Sequence, residues 1–327
     1  MNYREFSDLG WRVSEIGLGC WQIGWCWGDV EDGDARDILK KALDNGVNFF
    51  DTSDTYGDGR SERFLSEILK TSQDIFVTTK LGRRIRGTNY PRGYKHEPME
   101  EFIDRSLKNL GIEKIDLIQL HCPPVQICKQ PETFEKMDQL VKKGKIRYYG
   151  VSVYNLSEAY EALKHDNVKS IQLVFNILRQ KPLDDFFKLA KLKNIAIIAR
   201  GPLASGLLGG IINKDTKFAE NDHRNYNING EAFDIGDTFS GVDFEKGLKV
   251  VNELKKILPN NFSLSQLALK WILMHEAVTV VIPGATNSNE VEKNCQTSKL
   301  ENIKYIMSDI KNIYEEYIKK DVHHRWN

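Results

Sequence analysis

IDLIQLH at residues 115–121, PETFEKMDQLVKKG at 131–144 and IRYYGVS at 146–152 follow one another with only a short loop before the middle segment. The first and third are near-continuous apolar runs. The second places apolar residues at helical spacing and stops at glycine, which reads as a helix. A strand apolar on both faces, followed by an amphipathic helix and another such strand, is the unit of a parallel sheet covered by helices. The unit repeats in both directions. Strand candidates are IGLGC (16–20), VNFFD (47–51), IFVTTK (75–80), IDLIQLH, IRYYGVS, KSIQLVF (169–175), IAIIAR (195–200) and VTVVI (278–282). Helical patterns such as ARDILKKALDN, SERFLSEILK and PMEEFIDRSLKNLG lie between them.

Eight alternations predict an α/β fold, a (β/α)8 TIM barrel forming one domain over residues 1–327, a length that such barrels reach. Two extended segments near Glu5 and Val13 predict an N-terminal β-hairpin. Long loops at 82–97 and 201–241 are expected on the active face, and an extra amphipathic helix is expected from Asn302 to Lys320. The competing architecture is a doubly wound open sheet. That fold places a glycine-rich phosphate loop after its first strand, and the spacing of Gly17, Gly19 and Gly24 does not fit one.

Lysine and arginine together number 46, as do aspartate and glutamate, so the formal net charge is zero. No broad basic field is available for nucleic acid or an anionic membrane. The five cysteines, Cys20, Cys26, Cys122, Cys128 and Cys295, are scattered and odd in number, which fits reduced thiols and a cytoplasmic location. Their spacings match no zinc site, so no metal is expected. The N-terminal residues lack the apolar core of a signal peptide. The most apolar stretch, 195–212, is broken by Arg200, Pro202 and glycines, so no membrane span is expected.

Asp51, Tyr56, Lys80 and His121 fall at or just beyond the ends of three successive strands. In a parallel barrel those ends share one face. A tyrosine beside a lysine, with an acid and a histidine close by, is suited to donating a proton to a carbonyl.

NFFDTSDTYGDGRSE around Asp51 and Tyr56, TTKLG at 78–82 and LIQLHCP around His121 resemble the aldo-keto reductase superfamily. The likeness runs from IGLGCWQIG at 16–24 through GVSVYN, IQLVFN, GPLASGLL and VIPGATNSNEVEKN. It implies hydride exchange between NAD(P)H and a carbonyl, with Tyr56 as general acid or base. Lys80 would lower the tyrosine pKa by roughly three units from about 10. Asp51 would hold Lys80, and His121 would hold the substrate oxygen.

The resemblance further implies Ser152 and Gln172 at the nicotinamide carboxamide, and Gly201, Pro202, Leu203, Ser205, Gly206 and Leu208 around the pyrophosphate. Gly284, Thr286, Glu290 and Asn294 would meet the adenosine end. Asn155 has two readings, a cofactor contact and a helix cap. Arg200 also has two, a guanidinium stacked on the nicotinamide and a salt-bridged rim arginine. NADP is the family default, but no basic residue stands at Gly284, Thr286 or Glu290, which points to NAD or dual use. Both cofactor readings stand.

Trp21, Trp25 and Trp27 offer aromatic faces for a substrate pocket or for packing. With the polar segment Asp222, His223, Arg224 and Asn225, a lid in prospect, they favour a sugar-derived aldehyde, ketone or lactol. The loop bearing Arg83, Arg84, Arg86, Arg92 and Lys95 is basic enough to grip an anion or simply to be solvated. The partner is therefore a small-molecule substrate, with no nucleic acid or membrane, and a homo-oligomer is compatible. Two other functions fit the same sequence. One is a cofactor-binding regulatory subunit like the β subunits of potassium channels; the other is a redox sensor built on exposed cysteines.

Overall fold

The computed structural model describes residues 1–24, 27, 30–72, 74–83 and 99–327. Trp25, Cys26 and the basic residues at 84, 86, 92 and 95 lie outside the described residues. Strands β1 (Tyr3–Phe6) and β2 (Trp11–Ser14) form an antiparallel hairpin. The following strands are β3 (Leu18–Gly19), β4 (Phe49–Asp51), β5 (Phe76–Leu81), β6 (Ile115–His121), β7 (Ile146–Ser152), β8 (Val168–Val174), β9 (Ala196–Arg200) and β10 (Val278–Val281). All eight pair in parallel and in sequence order. Bridges from Ile16 to Val281 and from Gly19 to Gly284 join the last strand to the first, with the Gly17 amide donating to the Val281 carbonyl at 2.9 Å. The sheet closes into a (β/α)8 barrel.

Strand alternation assigns the interior. Phe49 and Asp51 share one face of β4, Leu117, Gln119 and His121 one face of β6, and Ala196, Ile198 and Arg200 one face of β9. The apolar members sit at the strand starts and the polar members at the ends. Phe6 and Val13 of the hairpin pack with Phe49, Leu117, Ala196, Ile198, Val280 and Ile282, all buried. Trp11 stacks on Phe76 at 4.6 Å. The hairpin therefore plugs the N-terminal end of the barrel, and Arg4 pins it by donating to the Leu273 and Val278 carbonyls at 2.7 and 2.6 Å. The other end is left to polar side chains.

The expected final helix runs over Met307–Tyr317 and continues in a short turn at Lys319–Val322. Among the described residues no helix is long and apolar enough to cross a membrane, and no cluster of His, Cys, Asp and Glu is arranged to hold a metal ion.

Candidate active site

The inward residues at the strand ends line one cavity of about 1220 Å³. That exceeds the roughly 300–1,000 Å³ common for small-ligand pockets. Asp51, Lys80 and His121 reach it from β4, β5 and β6, Ser152 and Gln172 from β7 and β8, and Arg200 from β9. Tyr56 enters from the loop after β4, its amide held by the Ser53 carbonyl at 3.1 Å.

Lys80 Nζ donates to Asp51 Oδ1 at 2.6 Å, to the Thr52 carbonyl at 2.8 Å and to Tyr56 Oη at 3.4 Å. Gln172 Nε2 donates to the other Asp51 oxygen at 2.7 Å, and Ser152 Oγ donates to Gln172 Oε1 at 3.0 Å. One network thus ties three strands to the carboxylate, since a buried ion stays charged only when its remaining lone pairs are satisfied. Burial works against the Lys80 charge, but attraction to Asp51 and the bonds to Asp51 and Tyr56 leave its pKa above the ordinary value.

The tyrosine departs from expectation. Burial dominates at Tyr56 and raises its pKa, with Lys80 opposing and Asp51 reinforcing. The physical reason is desolvation, which disfavours the phenolate by more than Lys80 favours it, with Asp51, 2.6 Å from Lys80, offsetting part of the lysine's effect. Tyr56 is therefore protonated at neutral pH. His121 is neutral: burial first, then Arg83, Lys80 and Arg200, hold its pKa well below 6.5. Ser53 Oγ lies 3.2 Å from His121 Nδ1, and Arg83 Nη1 lies 3.5 Å from Nε2. A protonated phenol and a neutral imidazole at one cavity wall can both serve a carbonyl oxygen as hydrogen-bond donors.

Arg200 forms an ion pair with Asp237, donates to the Val153 carbonyl at 3.2 Å and lies 5.4 Å from the Tyr154 ring centroid. It is salt-bridged at the rim and also lines the cavity, an arrangement compatible with both readings. Asn155 is the N-cap of the helix Leu156–Ala162, where its own amide donates to Glu158 at 2.6 Å. It does not line the cavity.

Gly201, Pro202, Leu203, Ser205 and Gly206 line the cavity wall after β9, whereas Leu208 does not. The Leu208 amide donates to the Leu203 carbonyl at 3.1 Å and its side chain is fully buried. Ala204, Ser205 and Gly206 take left-handed backbone in succession, with φ of 48°, 56° and 88°. No hydrogen bond from the Leu203 or Ser205 amide is found among the described residues, so the turn carries open N–H groups beside the cavity, a form that suits an anion.

Gly284, Thr286, Glu290 and Asn294 also line the cavity. Glu290 accepts from the Thr286 amide at 2.8 Å and the Thr286 hydroxyl at 3.2 Å, at the first turn of the helix Ser288–Gln296. A Cβ on Gly284 would fall on the Gln22 side-chain amide, which would have to swing aside.

Trp21 stacks on Tyr56 at 6.1 Å and on His223 at 5.1 Å, and Trp27 meets His223 edge-on at 4.7 Å. Arg224 pairs with Asp222 at 2.5 Å and lies 4.7 Å from the Trp27 ring centroid. His223, Arg224 and Phe233 are thus packed on Trp21 and Trp27. The four described cysteines depart from the exposed arrangement a redox sensor requires: Cys20, Cys122, Cys128 and Cys295 are buried, and burial raises all four thiol pKa values.

Sequence reading missed Gln22, Phe233, Asp237, Ser240 and Lys293, which also line the cavity. Lys293 was accessible in principle, since helical spacing puts it on the face of Glu290. Asp237 and Ser240 sit in a loop without periodicity, so no local signal marks them.

His223 has no exposed surface, and burial lowers its pKa to about 4. The folded state binds fewer protons there than the unfolded state, so stability rises with pH. The contribution, about 3 kcal/mol, is full above pH 6.5 and is lost as pH falls through 4. His121, also depressed, acts in the same direction. The thermal midpoint should drop between pH 6.5 and 4, and His223→Phe should flatten that slope. A wild-type midpoint constant across this window would overturn the expectation.

The aldo/keto reductase family model matches residues 15–315. The chain is 28% identical to an uncharacterized oxidoreductase, YqkF, of Bacillus subtilis, over 97% of this chain and 99% of that protein. It is 29% identical to a probable voltage-gated potassium channel β subunit of Oryza sativa, covering 90% of each. The solved glycerol dehydrogenase of Gluconobacter oxydans superposes with a TM-score of 0.79 at 26% identity, covering 97% of this chain and 96% of that one.

Proposed function

The chain belongs to the aldo/keto reductase family of oxidoreductases, and from that premise we propose that it interconverts a carbonyl compound and its alcohol with NAD(P)H. The observation that carries this reading is the Asp51–Lys80–Tyr56 chain of contacts beside neutral His121 on the wall of one large cavity. The cavity volume and the open amides of Leu203 and Ser205 fit a dinucleotide laid across the barrel mouth. Ser152, Gln172, Arg200 and the 201–206 turn would hold it, with Gly284, Thr286, Glu290 and Asn294 toward its adenosine end. When bound, it supplies the hydride.

Tyr56, protonated, gives its proton to the carbonyl oxygen as negative charge develops there. Lys80 then faces the phenolate and stabilises it, while Asp51 keeps the ammonium charged and aimed. In the tautomer that carries its proton on Nε2, with Nδ1 accepting from Ser53 Oγ, His121 would donate to the same oxygen, which would then replace Arg83 Nη1 at Nε2. In alcohol oxidation Tyr56 takes the proton back. The decisive assay is dinucleotide-dependent turnover over aldehydes, keto sugars and polyols in both directions, and wild-type inactivity across that panel would sink the reading.

A small polyol or sugar-derived carbonyl is the substrate class best supported. Trp21 and Trp27 give it aromatic faces beside Tyr56, and the Gluconobacter relative is a glycerol dehydrogenase. Much higher specificity constants for short apolar aldehydes than for any sugar would overturn this.

Glu290 puts a carboxylate on the wall proposed for the adenosine end, and Lys293 puts one cation beside it. The acid would repel a 2′-phosphate, so NAD use with NADP as a second substrate is the expected pattern. Glu290→Lys should raise the ratio of kcat/KM for NADP to that for NAD at least tenfold. An unchanged ratio would remove Glu290 from cofactor choice.

The similarity to a plant potassium channel β subunit favours a second reading, a dinucleotide-binding regulatory subunit. Tight dinucleotide binding without turnover on the broad panel would select it.

A further inference from the structure

The cavity wall at Gly236, Asp237 and Ser240 has a second face, and Trp326 is packed on it. A Cβ on Gly236 would meet the Trp326 ring at 3.1 Å, and one on Gly241 would meet it at 3.0 Å. The Arg179 guanidinium carbon lies 3.5 Å from the Trp326 ring centroid, and Arg179 Nη1 itself also bears directly on Gly236. Both side chains are almost fully buried, Trp326 at 3% exposure and Arg179 at 3%. Arg179 also donates to the Tyr154 carbonyl, and Arg325 donates to the Gly241 carbonyl at 3.3 Å. Gly236 therefore touches the cavity and the indole at once.

The same wall holds groups inside the cavity. Asp237 pairs with Arg200, and the Asp237 carbonyl accepts from Ser205 Oγ at 2.9 Å. Ser240 Oγ accepts from Asn176 Nδ2 at 2.8 Å, and that nitrogen also donates to the Gly201 carbonyl at 2.8 Å. Phe239 and Ser240 take left-handed backbone at φ of 49° and 59°, which for non-glycine residues persists only when surrounding contacts enforce it. Trp326 bears on this turn at both Gly236 and Gly241 and does not line the cavity.

We propose that Trp326 is a positioning residue: wedged against Arg179 and the Gly236–Gly241 backbone, it holds the wall that presents Asp237, and through it Arg200 and Ser205, to the dinucleotide. The wedge acts through ring volume, since Trp326 Nε1 finds no hydrogen-bond partner among the described residues. Phenylalanine should therefore replace it largely, and alanine should not. The cofactor part of this inference rests on the dinucleotide reading above; the wall itself does not.

The test compares wild type, Trp326→Ala, Trp326→Phe, Asp237→Asn and the Trp326→Ala/Asp237→Asn double variant. Hydrogen exchange of the 234–241 amides in the free protein is expected to speed at least tenfold in Trp326→Ala and to return near wild type in Trp326→Phe. Dinucleotide Kd is expected to rise about tenfold in Trp326→Ala, with kcat at saturating dinucleotide within about threefold of wild type. The double variant should lose no more affinity than Asp237→Asn alone, because both changes act through one contact. Unchanged exchange overturns the proposal whatever the cofactor does. Faster exchange with an unchanged Kd, or losses that multiply in the double variant, overturns the link from Trp326 to Asp237. A wild type that binds neither dinucleotide overturns the functional reading and the cofactor link together, and exchange alone then decides whether Trp326 holds the wall.

Discussion

Tyr56→Phe should lower kcat/KM for carbonyl reduction by about 10³ to 10⁴ while leaving dinucleotide affinity within about twofold. The substitution removes only the hydroxyl that lies 3.4 Å from Lys80 Nζ, and the ring keeps its stack on Trp21 and its edge contact with His121. Stability should change by under about 1 kcal/mol, since the lost hydrogen bond is long. The raised tyrosine pKa makes the sign of the pH dependence definite. In the proposed reduction Tyr56 would act as the protonated species, so the rate should hold through neutral pH and fall only in the alkaline range. Oxidation uses the phenolate and should rise with pH over the same range. Turnover within tenfold of wild type in Tyr56→Phe would remove Tyr56 from the chemistry, and His121 would be the donor to examine next.

Lys80→Met should damage both activity and the fold. Lys80 is 1% exposed and its partner Asp51 3%, so the substitution strands a carboxylate inside the barrel. Removing one member of a buried pair costs about 3–5 kcal/mol, which for a chain of this length corresponds to a fall of roughly 5 °C in the thermal midpoint. Gln172 still donates to Asp51 and softens the loss. Turnover should fall about 10³-fold or more, because the phenolate left by proton transfer no longer faces a cation. Adding Asp51→Asn to Lys80→Met should recover much of the midpoint and none of the rate. That split separates the stabilising role of the pair from its chemical one. Recovery of activity in the double variant would show that the ammonium is dispensable.

Much of this architecture is legible in local sequence. The eight barrel strands lie within two or three residues of their apolar runs, because a strand buried on both faces must be apolar along its length, and the intervening helices carry their own period. The placement of Asp51, Lys80 and His121 on one face follows from the alternation of side chains along strands that end together. Ser152 and Gln172 follow by the same rule on β7 and β8.

Other features had no local signature. Asp237 finds Arg200 across 37 positions, and Trp326 reaches Gly236 across 90. Neither pairing leaves a periodic trace, since each depends on where a long loop folds back. The two readings of Asn155 were equivalent in sequence, and only the start of a helix at Leu156 made it a cap. The protonation of Tyr56 belongs to the same group. Sequence places a lysine near the tyrosine and suggests a lowered pKa, but the sign depends on burial and on how closely Asp51 screens Lys80. The sequence by itself determined the barrel, and the strand ends from which the candidate residues project, because those follow from local periodicity. Tertiary structure decided the charge states and the far wall of the cavity, because desolvation and long-range contacts exist only once the whole chain has closed around the site.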